Sequence, residues 1–279
     1  MLGKCLGMLA GTVFTLGSVT SAFAQELPAE IAERGVVQVA VNAGYPPLEM
    51  RDPQTNELVG FDIDLAKAMG EVLGIEIEHL DGAFEAMTPN LQSGRVDMIM
   101  SGFYDTPARR EIFTFIDYLR AGAQFYTLES ATDLQELTDL CGRTVTTQRG
   151  SSFVETIGQW SEENCVGAGN EPINVIVDTD TGQQLTNLRT GRAEAAVQGL
   201  EAVPAIIQLD PGVFRPLGEP FSSALMGIAF TRENTELRDA FAGALRTVIE
   251  NGTYDELIAK WKLDLSAYKD VSIDAGPQP

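Results

Sequence analysis

The chain has 279 residues, of which 44% are hydrophobic and 21% charged, and its 19 Lys and Arg against 40 Asp and Glu give a formal charge of −21. This composition is typical of a globular protein long enough for one large or two medium domains. The negative charge argues against a nucleic-acid partner, because most of the surface would repel a phosphate backbone. With one His, a His-ligated metal site and Ser/His catalysis are poor hypotheses, and we expect neither a metal nor a cofactor.

Residues 1–24 have the features of a secretory signal peptide. Lys4 is the only charge in this segment, the residues from Leu6 to Phe23 are apolar or small, and an A-x-A motif ends at Ala24. Cleavage after Ala24 is therefore expected, which predicts an exported protein. A membrane anchor is the alternative, but Gly, Ser and Thr dilute the apolar run, and no later stretch approaches the roughly 20 apolar residues of a span.

The next elements along the chain are short apolar segments that alternate with helical patterns. In order they are a strand (Val36–Val41), a helix that opens at Gly60 and has Gly74 just past its end, a strand (Ile75–Glu78), a helix ending at Ser93, and a strand (Val96–Met100). Apolar side chains spaced along one face and a final glycine define the first helix. This order predicts a mostly parallel sheet with helices on both faces.

The chain also contains an internal repeat. Leu91–Gly102 matches Leu188–Gly199 at a constant offset of 97 residues, and both copies contain a helix end, a glycine, a strand and a second glycine. A helix end followed by a glycine and a strand is a common pattern, so one such match also arises by coincidence. However, Cys141–Thr147 predicts a strand that opens a second unit as Val36 opens the first. Two similar α/β lobes are the simplest interpretation.

Cys141 and Cys165 remain after the signal peptide. An even number of cysteines in an oxidising compartment predicts a disulfide, which would close a loop of about 24 residues and stabilise the fold by roughly 3 kcal/mol. Two buried free thiols are the alternative. The two cysteines do not form a C-x-x-C pair, so the pattern does not indicate a redox function.

Two segments have the features of helix starts that bind anions. Thr106-Pro107-Ala108-Arg109 has Thr at the N-cap and Pro at the first helical position, and Ser152 with Glu155 has the spacing of a capping box. Free backbone N–H groups and the positive end of the helix dipole favour a carboxylate at both places. The alternative is a pair of ordinary caps, with Arg109 in a surface ion pair.

Several short motifs occur in a specific order over residues 34–263. They are Tyr45-Pro46-Pro47, Gly60–Leu65, Phe84 with Pro89, Leu91–Gly94, Thr106–Arg109, Gly227–Phe230, Asn251–Tyr254 and Trp261. In this combination the chain resembles the family-3 periplasmic solute-binding proteins, which serve amino-acid ABC importers. The resemblance implies a monomer in the periplasm that binds a small solute, contacts the membrane permease subunits of an importer and catalyses no reaction.

The fold implied by the resemblance is an α/β clamshell of two lobes (type II) joined by two crossing segments. The first crossing is expected near residues 124–128 and the second near 216–220. Lobe 1 would then comprise residues 25–125 and 219–270, lobe 2 residues 126–218, and residues 271–279 would form a flexible tail. Closure of the lobes over one solute would shift an open–closed equilibrium.

The resemblance also implies roles for individual residues. Arg109 would bind the α-carboxylate of the solute, because a planar guanidinium matches a carboxylate, and Ser151 and Ser152 would add donors from the second lobe. Tyr45 and Phe84 occupy the aromatic positions that enclose the apolar part of the solute. The complete expected ligand-binding set is Asn42, Tyr45, Phe84, Ser101, Gly102, Tyr104, Arg109, Gln148, Ser151, Ser152, Gly199 and Glu201.

The ammonium group of the solute has a less regular set of expected partners. Gly102 matches a position whose carbonyl accepts from this ammonium, and Gln148 lines the second lobe. The Asp that usually binds the ammonium is replaced here by Gly199. Glu201, two residues further on, would substitute for it if the turn is reshaped.

Three further positions bear on the identity of the solute. Asn42 stands where members that bind cationic side chains often carry Asp, so Lys, Arg and His are expected to be poor ligands, because a buried cation without a countercharge costs several kcal/mol. Tyr104 adds bulk and one hydroxyl. Arg149 either favours an acidic solute or is a solvated surface charge. A neutral polar or acidic amino acid is therefore expected, with an organic acid or a modified amine as alternatives.

Two other function classes stay open at this point. A periplasmic dehydratase of cyclohexadienyl acids shares this architecture and would need a general acid, for which Glu201 and Glu85 are the nearby residues. A sensory module that reports solute occupancy to a receptor is the third class.

Overall fold

The computed structural model describes residues 27–277, so the predicted signal peptide lies outside the described residues. The strands are β1 (Val36–Val41), β2 (Gly44–Tyr45), β3 (Glu49–Arg51), β4 (Leu58–Val59), β5 (Glu76–Asp81), β6 (Met98–Ile99), β7 (Phe113–Ala121), β8 (Ala123–Leu128), β9 (Thr144–Gln148), β10 (Asn174–Asp178), β11 (Ala195–Gly199), β12 (Phe214–Leu217) and β13 (Ala224–Thr231). The α-helices are α1 (Ala29–Arg34), α2 (Phe61–Leu73), α3 (Met87–Gln92), α4 (Pro107–Arg110), α5 (Phe153–Asn164), α6 (Thr181–Arg189), α7 (Val203–Leu209), α8 (Thr235–Glu250) and α9 (Thr253–Trp261). In this part of the chain no helix has the length and apolar character needed to span a bilayer.

Two five-stranded sheets form the cores of two lobes. The sheet of lobe 1 has the order β5-β1-β6-β13-β7, and that of lobe 2 has the order β10-β9-β11-β8-β12. The predicted two-lobed α/β fold is therefore confirmed. The prediction of mostly parallel pairing is wrong for half of the neighbours, since β13 and β7 in lobe 1, and β8 and β12 in lobe 2, pair antiparallel. The chain leaves lobe 1 along β7 and returns along β13, so these two strands run in opposite directions.

The internal repeat corresponds to a structural repeat. In each lobe the first strand lies between two parallel neighbours, as β5-β1-β6 and as β10-β9-β11. The helix before β6 and the helix before β11 are each followed by a left-handed glycine, Gly94 with φ 72° and Gly191 with φ 68°. A glycine adopts this conformation without steric cost, which explains why a glycine follows the helix in both copies.

The first crossing between the lobes lies earlier than predicted. β7 ends at Ala121 and β8 begins at Ala123, so the chain crosses at Gly122. The predicted crossing at 124–128 is wrong because these residues pair with β11 and β12 inside lobe 2. A Cβ atom at Gly122 would lie 2.3 Å from the carbonyl oxygen of Ser222 in the second crossing, so the two crossings touch at a point that admits only glycine.

The second crossing follows β12, which runs through residue 217 in lobe 2, and precedes β13, which begins at residue 224 in lobe 1. The predicted range 216–220 therefore begins too early, because Pro216 still pairs with Tyr126. The two crossings are held side by side, since the Phe221 amide donates to the Ala123 carbonyl at 2.9 Å.

The predicted flexible tail is wrong for residues 271–277, which pack on lobe 1. Asp274 accepts a hydrogen bond from the Phe115 amide at 2.8 Å, and the Gly276 amide donates to Asp105 at 2.7 Å. Asp117 accepts from the Ser272 hydroxyl at 2.9 Å. Asp105 and Asp117 are buried, and a buried carboxyl requires hydrogen-bond donors, so the terminal segment is ordered by the donors it supplies.

The predicted disulfide is present in lobe 2. Cys141 and Cys165 are bonded, with their Cα atoms 5.4 Å apart. The bond ties the segment before β9 to the end of α5, and Cys165 is fully buried. The alternative of two free thiols is thereby excluded.

Candidate solute-binding site

A pocket lies between the lobes, with about 350 Å³ of empty volume when the space open to solvent is included. It is lined by Asn42, Tyr45, Phe84, Gly102, Tyr104 and Arg109 from lobe 1 and by Gln148, Ser151, Ser152, Phe153 and Gln198 from lobe 2. Many of these residues follow the carboxyl ends of parallel strands, where α/β sheets bind ligands. The structure thus brings nine of the twelve expected residues to one pocket, while Ser101, Gly199 and Glu201 lie behind its walls.

Arg109 is the cation of this pocket. It belongs to the short helix α4, whose start is capped as predicted, since the Thr106 hydroxyl accepts from the Arg109 amide at 3.3 Å. The guanidinium donates to the Tyr104 carbonyl at 2.9 Å and, across the cleft, to the Gly150 carbonyl at 3.2 Å. Its carbon lies 3.7 Å from the centroid of the Phe103 ring.

Within residues 27–277, no carboxylate forms an ion pair with Arg109. Its hydrogen-bond acceptors within residues 27–277 are both backbone carbonyls, so the predicted alternative of a surface ion pair does not apply. Burial lowers the pKa of the guanidinium to about 10, which still leaves it charged at neutral pH. A half-buried cation of this kind favours an anionic group in the adjoining pocket.

Opposite Arg109, the loop from Gln148 leads into helix α5. The Ser151 hydroxyl donates to the Gln148 carbonyl at 2.7 Å. The predicted capping box of Ser152 and Glu155 does not form, because Ser152 already has helical backbone angles and makes no side-chain cap bond. The Ser152 side chain therefore borders the pocket instead of satisfying the first turn of α5.

Four aromatic side chains form much of the wall. Tyr45 packs on Gly102, where a Cβ atom would lie 2.6 Å from the Tyr45 ring. Tyr104 and Phe153 meet edge to face across the cleft with their centroids 5.3 Å apart, and Phe84 lines the same pocket. Sequence reasoning missed Phe153, although its place as the first apolar residue after Ser152 was a usable signal.

Two amides present acceptor atoms at the site. The Asn42 side chain donates to the Gly82 carbonyl at 2.8 Å, which leaves its Oδ1 to accept from Gln148 at 3.3 Å. Gln198 uses its amino group on Thr181 and Gln184, at 3.2 and 3.0 Å, while its Oε1 is buried and has no hydrogen-bond partner in the described part of the chain. Gln198 was also missed, although it directly precedes Gly199 in the repeated strand.

Glu201 occupies the space that a side chain at position 199 would need. A Cβ atom at Gly199 would lie 1.6 Å from Glu201 Oε1 and 2.4 Å from the Tyr45 hydroxyl. That hydroxyl donates to Glu201 Oε1 at 2.5 Å. Glu201 itself borders a second groove behind Tyr45 rather than the pocket, and burial raises the pKa of its carboxyl to about 7.

Two buried carboxyls beneath the pocket hold Ser101 and the Gly102 amide in place. Ser101 donates to Glu49 at 2.6 Å, and the Gly102 amide donates to Asp62 at 2.9 Å. Ser101 also accepts from the Asn42 amide at 3.0 Å, so it positions the pocket instead of lining it. Burial raises the pKa of Glu49 and, to about 6, that of Asp62. Sequence reasoning missed this pair.

The comparison with known families decides what kind of site this is. Residues 37–264 match the model of the bacterial extracellular solute-binding proteins, family 3. The chain belongs to this family. The resemblance seen in the sequence motifs is thereby confirmed, and the interlobe pocket is the candidate solute site of a family-3 protein.

Relatives and solved structures agree with this family. The arginine-binding protein ArgT of Corynebacterium glutamicum is 30% identical over 90% of this chain and 82% of its own. The histidine-binding periplasmic protein of Salmonella typhimurium is 26% identical over 95% of this chain and 99% of its own. An ancestral arginine-binding protein bound to arginine has a TM-score of 0.73 and 32% identity, covering 82% of this chain and 98% of its own.

The family and these binding proteins identify this chain as a binding protein and not as a dehydratase. Glu85, one of the two general acids considered for such an enzyme, lies at the cleft mouth, 4.0 Å from Arg149. The Arg149 side chain is 54% exposed, so it forms a solvated pair outside the pocket. Within residues 27–277, no group of His, Cys, Asp and Glu has an arrangement that holds a metal ion.

Proposed function

We propose that this solute-binding protein is the periplasmic receptor of an ABC importer for an L-α-amino acid whose side chain carries hydrogen-bond donors, with arginine as the first candidate. The observation that carries the proposal is the placement of a cation and an acid on facing lobes. Arg109 lines the pocket from lobe 1, and Glu201 of lobe 2 lies behind the wall of the pocket, where the Tyr45 hydroxyl donates to it. A zwitterion is the solute that matches such a pair.

The carboxylate of the solute would bind Arg109. The guanidinium is already held in place by the Tyr104 and Gly150 carbonyls, so little side-chain entropy is lost when it binds an anion. Ser151 and Ser152, at the start of the 12-residue helix α5, add donors and the positive end of the helix dipole from the facing lobe.

The ammonium of the solute would bind the Gly102 carbonyl and Glu201. Glu201 reaches the volume above Gly199, where the resemblance places the usual Asp, which supports it as the substitute. One of its carboxyl oxygens is buried without a hydrogen-bond partner in residues 27–277. A buried acceptor of this kind gains most from a charged donor.

The side chain of the solute would face acceptor atoms. Asn42 Oδ1 and Gln198 Oε1 are both oriented by bonds that use their amino groups, and they suit a guanidinium or an amide better than a carboxylate. Tyr45 and Phe84 supply ring faces for a guanidinium.

Our expectation that cationic amino acids are poor ligands is not confirmed, because relatives at 30% identity are named arginine-binding. That expectation rested on Asn42 alone. The net charge of −21 favours the approach of a cationic solute without a carboxylate at position 42. Glutamine is the second candidate, since an ancestral arginine-binding protein of 31% identity was solved with it.

Closure would couple binding to recognition by the importer. The lobes are joined across the cleft by hydrogen bonds from Thr181 to the Gly44 carbonyl at 2.9 Å and from Gln148 to Asn42 at 3.3 Å. A solute that contacts both lobes adds to these bonds only when the lobes are together, so it shifts the equilibrium toward closure. A monomer in this form would then dock on the permease subunits.

The test is a thermal-shift panel of the twenty L-amino acids together with carboxylic acids that lack an amine. At a concentration 100 times the Kd, a bound amino acid should raise the Tm by about 5–10 °C. We expect the largest shift from L-arginine and a smaller one from L-glutamine. A largest shift from an amine-free acid would identify an organic-acid receptor, and no shift from any amino acid would overturn the proposal.

Transport and sensing are separated by a second measurement. Deletion of the gene for this chain should abolish uptake of the amino acid that binds. Uptake that persists in the deletion strain, with loss of a cellular response to the amino acid, would assign the chain to a sensor.

A further inference from the structure

The C-terminal segment, residues 271–277, covers the outer edge of the lobe 1 sheet. β7 is the edge strand of this sheet. The Asp117 amide donates to the Ser272 carbonyl at 3.0 Å, and Ile116 forms an antiparallel bridge with Ile273. Because the segment runs antiparallel to β7, its last residues reach helix α4, which precedes β7 in the chain.

Gly276 and Pro277, at the end of this segment, bond to residues beside Arg109. The Gly276 amide donates to the carboxyl of Asp105 at 2.7 Å, and Asp105 is fully buried. The guanidinium of Arg110 donates to the same carboxyl at 3.0 Å and to the Pro277 carbonyl at 2.5 Å. The C-terminal segment and α4 are therefore tied to one carboxyl.

These contacts lie on either side of Arg109 in the chain. Asp105 directly follows Tyr104, whose carbonyl accepts from the Arg109 guanidinium at 2.9 Å. Arg110 directly follows Arg109 in α4. A change in the position of Asp105 or Arg110 would thus move the backbone that carries the guanidinium or the carbonyl that orients it.

The fit between the C-terminal segment and this loop leaves no room for a larger residue. Gly276 is buried, and a Cβ atom there would lie 2.2 Å from the Asp105 carbonyl oxygen and 2.8 Å from Arg110 Nη1. Pro277 also borders a groove that reaches lobe 2 at Ser152. The end of the segment therefore packs against the loop of the solute site and lies beside the cleft.

We propose that Gly276 and Pro277 are positioning residues of the solute site, which hold Arg109 in the orientation that binds the solute carboxylate. They act through Asp105 and Arg110, and neither lines the pocket itself. The inference rests on the proposed function and deepens it by naming the element that orients the cation. A charge-assisted hydrogen bond depends on its geometry, so a loosened guanidinium binds an anion less well.

The experiment disturbs this contact in two ways. Gly276→Ala places a methyl group against Asp105, whereas a chain that ends at Ala275 lacks both positioning residues and keeps the earlier part of the segment. A chain that ends at Pro277 is the control for the shortened chain. Gly158→Ala is the control for the added methyl group, because its Cβ atom would meet no other atom within 4 Å.

Titration calorimetry at low temperature, on protein shown to be folded by circular dichroism, compares L-arginine with L-argininamide, in which a neutral amide replaces the carboxylate. Gly276→Ala and the chain that ends at Ala275 should each weaken L-arginine by about tenfold. L-glutamine should weaken by the same factor, because it has the same α-carboxylate. The affinity for L-argininamide should change by less than threefold, since this probe offers Arg109 no anion. Both controls should leave all three affinities within twofold.

An equal loss for L-arginine and L-argininamide would overturn the inference, because it would show a general disturbance of the pocket. Unchanged affinity for L-arginine in both variants would also overturn it and would leave the proposed function intact. Failure of L-arginine and L-glutamine to bind the unaltered protein would overturn the proposed function together with the inference.

Discussion

The two lobes repeat the same three parallel strands, and they differ at the end of the last of these strands along the chain, β6 in lobe 1 and β11 in lobe 2. After β6, Ser101 and Gly102 rest on the buried carboxyls of Glu49 and Asp62, which accept hydrogen bonds from the loop. β11 ends at Gly199, and the carboxyl of Glu201 fills the space that a side chain at this position would need. Lobe 1 therefore has two acids beneath its own binding loop, whereas the acid of lobe 2 reaches across the cleft to the Tyr45 hydroxyl of lobe 1.

This difference makes the repeat suitable for a two-sided site. Lobe 1 directs the cation Arg109 toward the Gly150 carbonyl of lobe 2, and lobe 2 directs Glu201 toward the Tyr45 hydroxyl of lobe 1. Neither lobe alone offers both groups to one solute. In the proposed function a zwitterion would gain its full contact only with the lobes together, and this would couple binding to closure.

The comparison is tested most strongly by removing the cation of lobe 1. Arg109→Ala should weaken L-arginine by about 2–5 kcal/mol, or ~30- to 5,000-fold, because the solute carboxylate would remain buried without its charged partner. Titration calorimetry measures the change. Arg149→Ala is the control, since its exposed side chain lies outside the pocket, and it should change the affinity by less than threefold. Similar losses in both variants would place the carboxylate elsewhere.

Lobe 2 alone is expected to depend on a covalent bond for part of its stability. Cys141→Ser with Cys165→Ser opens a loop with a sequence separation of 24 residues and should lower the free energy of unfolding by about 3–4 kcal/mol. Urea unfolding with and without a reductant measures this loss. The affinity for L-arginine at low temperature should change by less than threefold, because neither cysteine lines the pocket. A larger loss of affinity would show that the bond also shapes the site.

The acid of lobe 2 should reduce stability while it serves binding. The pKa of Glu201 is raised to about 7 from 4.5, so the folded state holds the proton more tightly than the unfolded state does. Stability from this group is thus present below pH 4.5 and lost as pH rises through 7. Glu201→Gln should be more stable than the unaltered protein by about 2–3 kcal/mol at pH 8 and by much less at pH 4.5.

Urea unfolding of both proteins across this pH range tests the prediction. Asp117 also has a raised pKa, but it is present in both proteins and cancels in the difference. A difference that does not change with pH would mean that Glu201 is not buried as a titrating acid.

The smallest expected effect concerns the glycines that mark the repeat. Gly94→Ala and Gly191→Ala should each lower the free energy of unfolding by about 1 kcal/mol, because both positions are left-handed and neither new Cβ atom would meet another atom within 4 Å. Gly158→Ala is the matched control, since it lies exposed inside α5 with the same open surroundings, and it should stabilise by up to about 1 kcal/mol. Unequal losses in the free energy of unfolding at Gly94 and Gly191 would show that the two copies of the repeat are not structurally equivalent.

Local patterns in the sequence predicted the elements well. Helix α2 ends where Gly74 predicts it, the Thr106 cap forms, and Cys141 pairs with Cys165. Each of these features depends on residues close in the chain or on simple counting, so tertiary contacts do not alter them. The capping box of Ser152 failed because the loop from Gln148 imposes helical angles on Ser152.

The parts that were missed depend on segments far apart in the chain. Gln198 and Phe153 reach the pocket only because the lobes face each other, and Glu49 and Asp62 meet beneath Ser101 through the packing of three separate segments. The expected flexible tail is ordered because buried acids of lobe 1 need its donors. No spacing along the chain contains this information.

From its amino-acid order alone, this protein could be assigned two α/β lobes, a disulfide, an arginine at the solute pocket and a solute-binding family, because these follow from local periodicity, motif order and residue chemistry. Only the tertiary structure decided which carboxyl fills the space at Gly199, which amides turn their oxygens toward the pocket and where the chain crosses between lobes. Burial and long-range packing fix these features, and both arise only when distant segments come together.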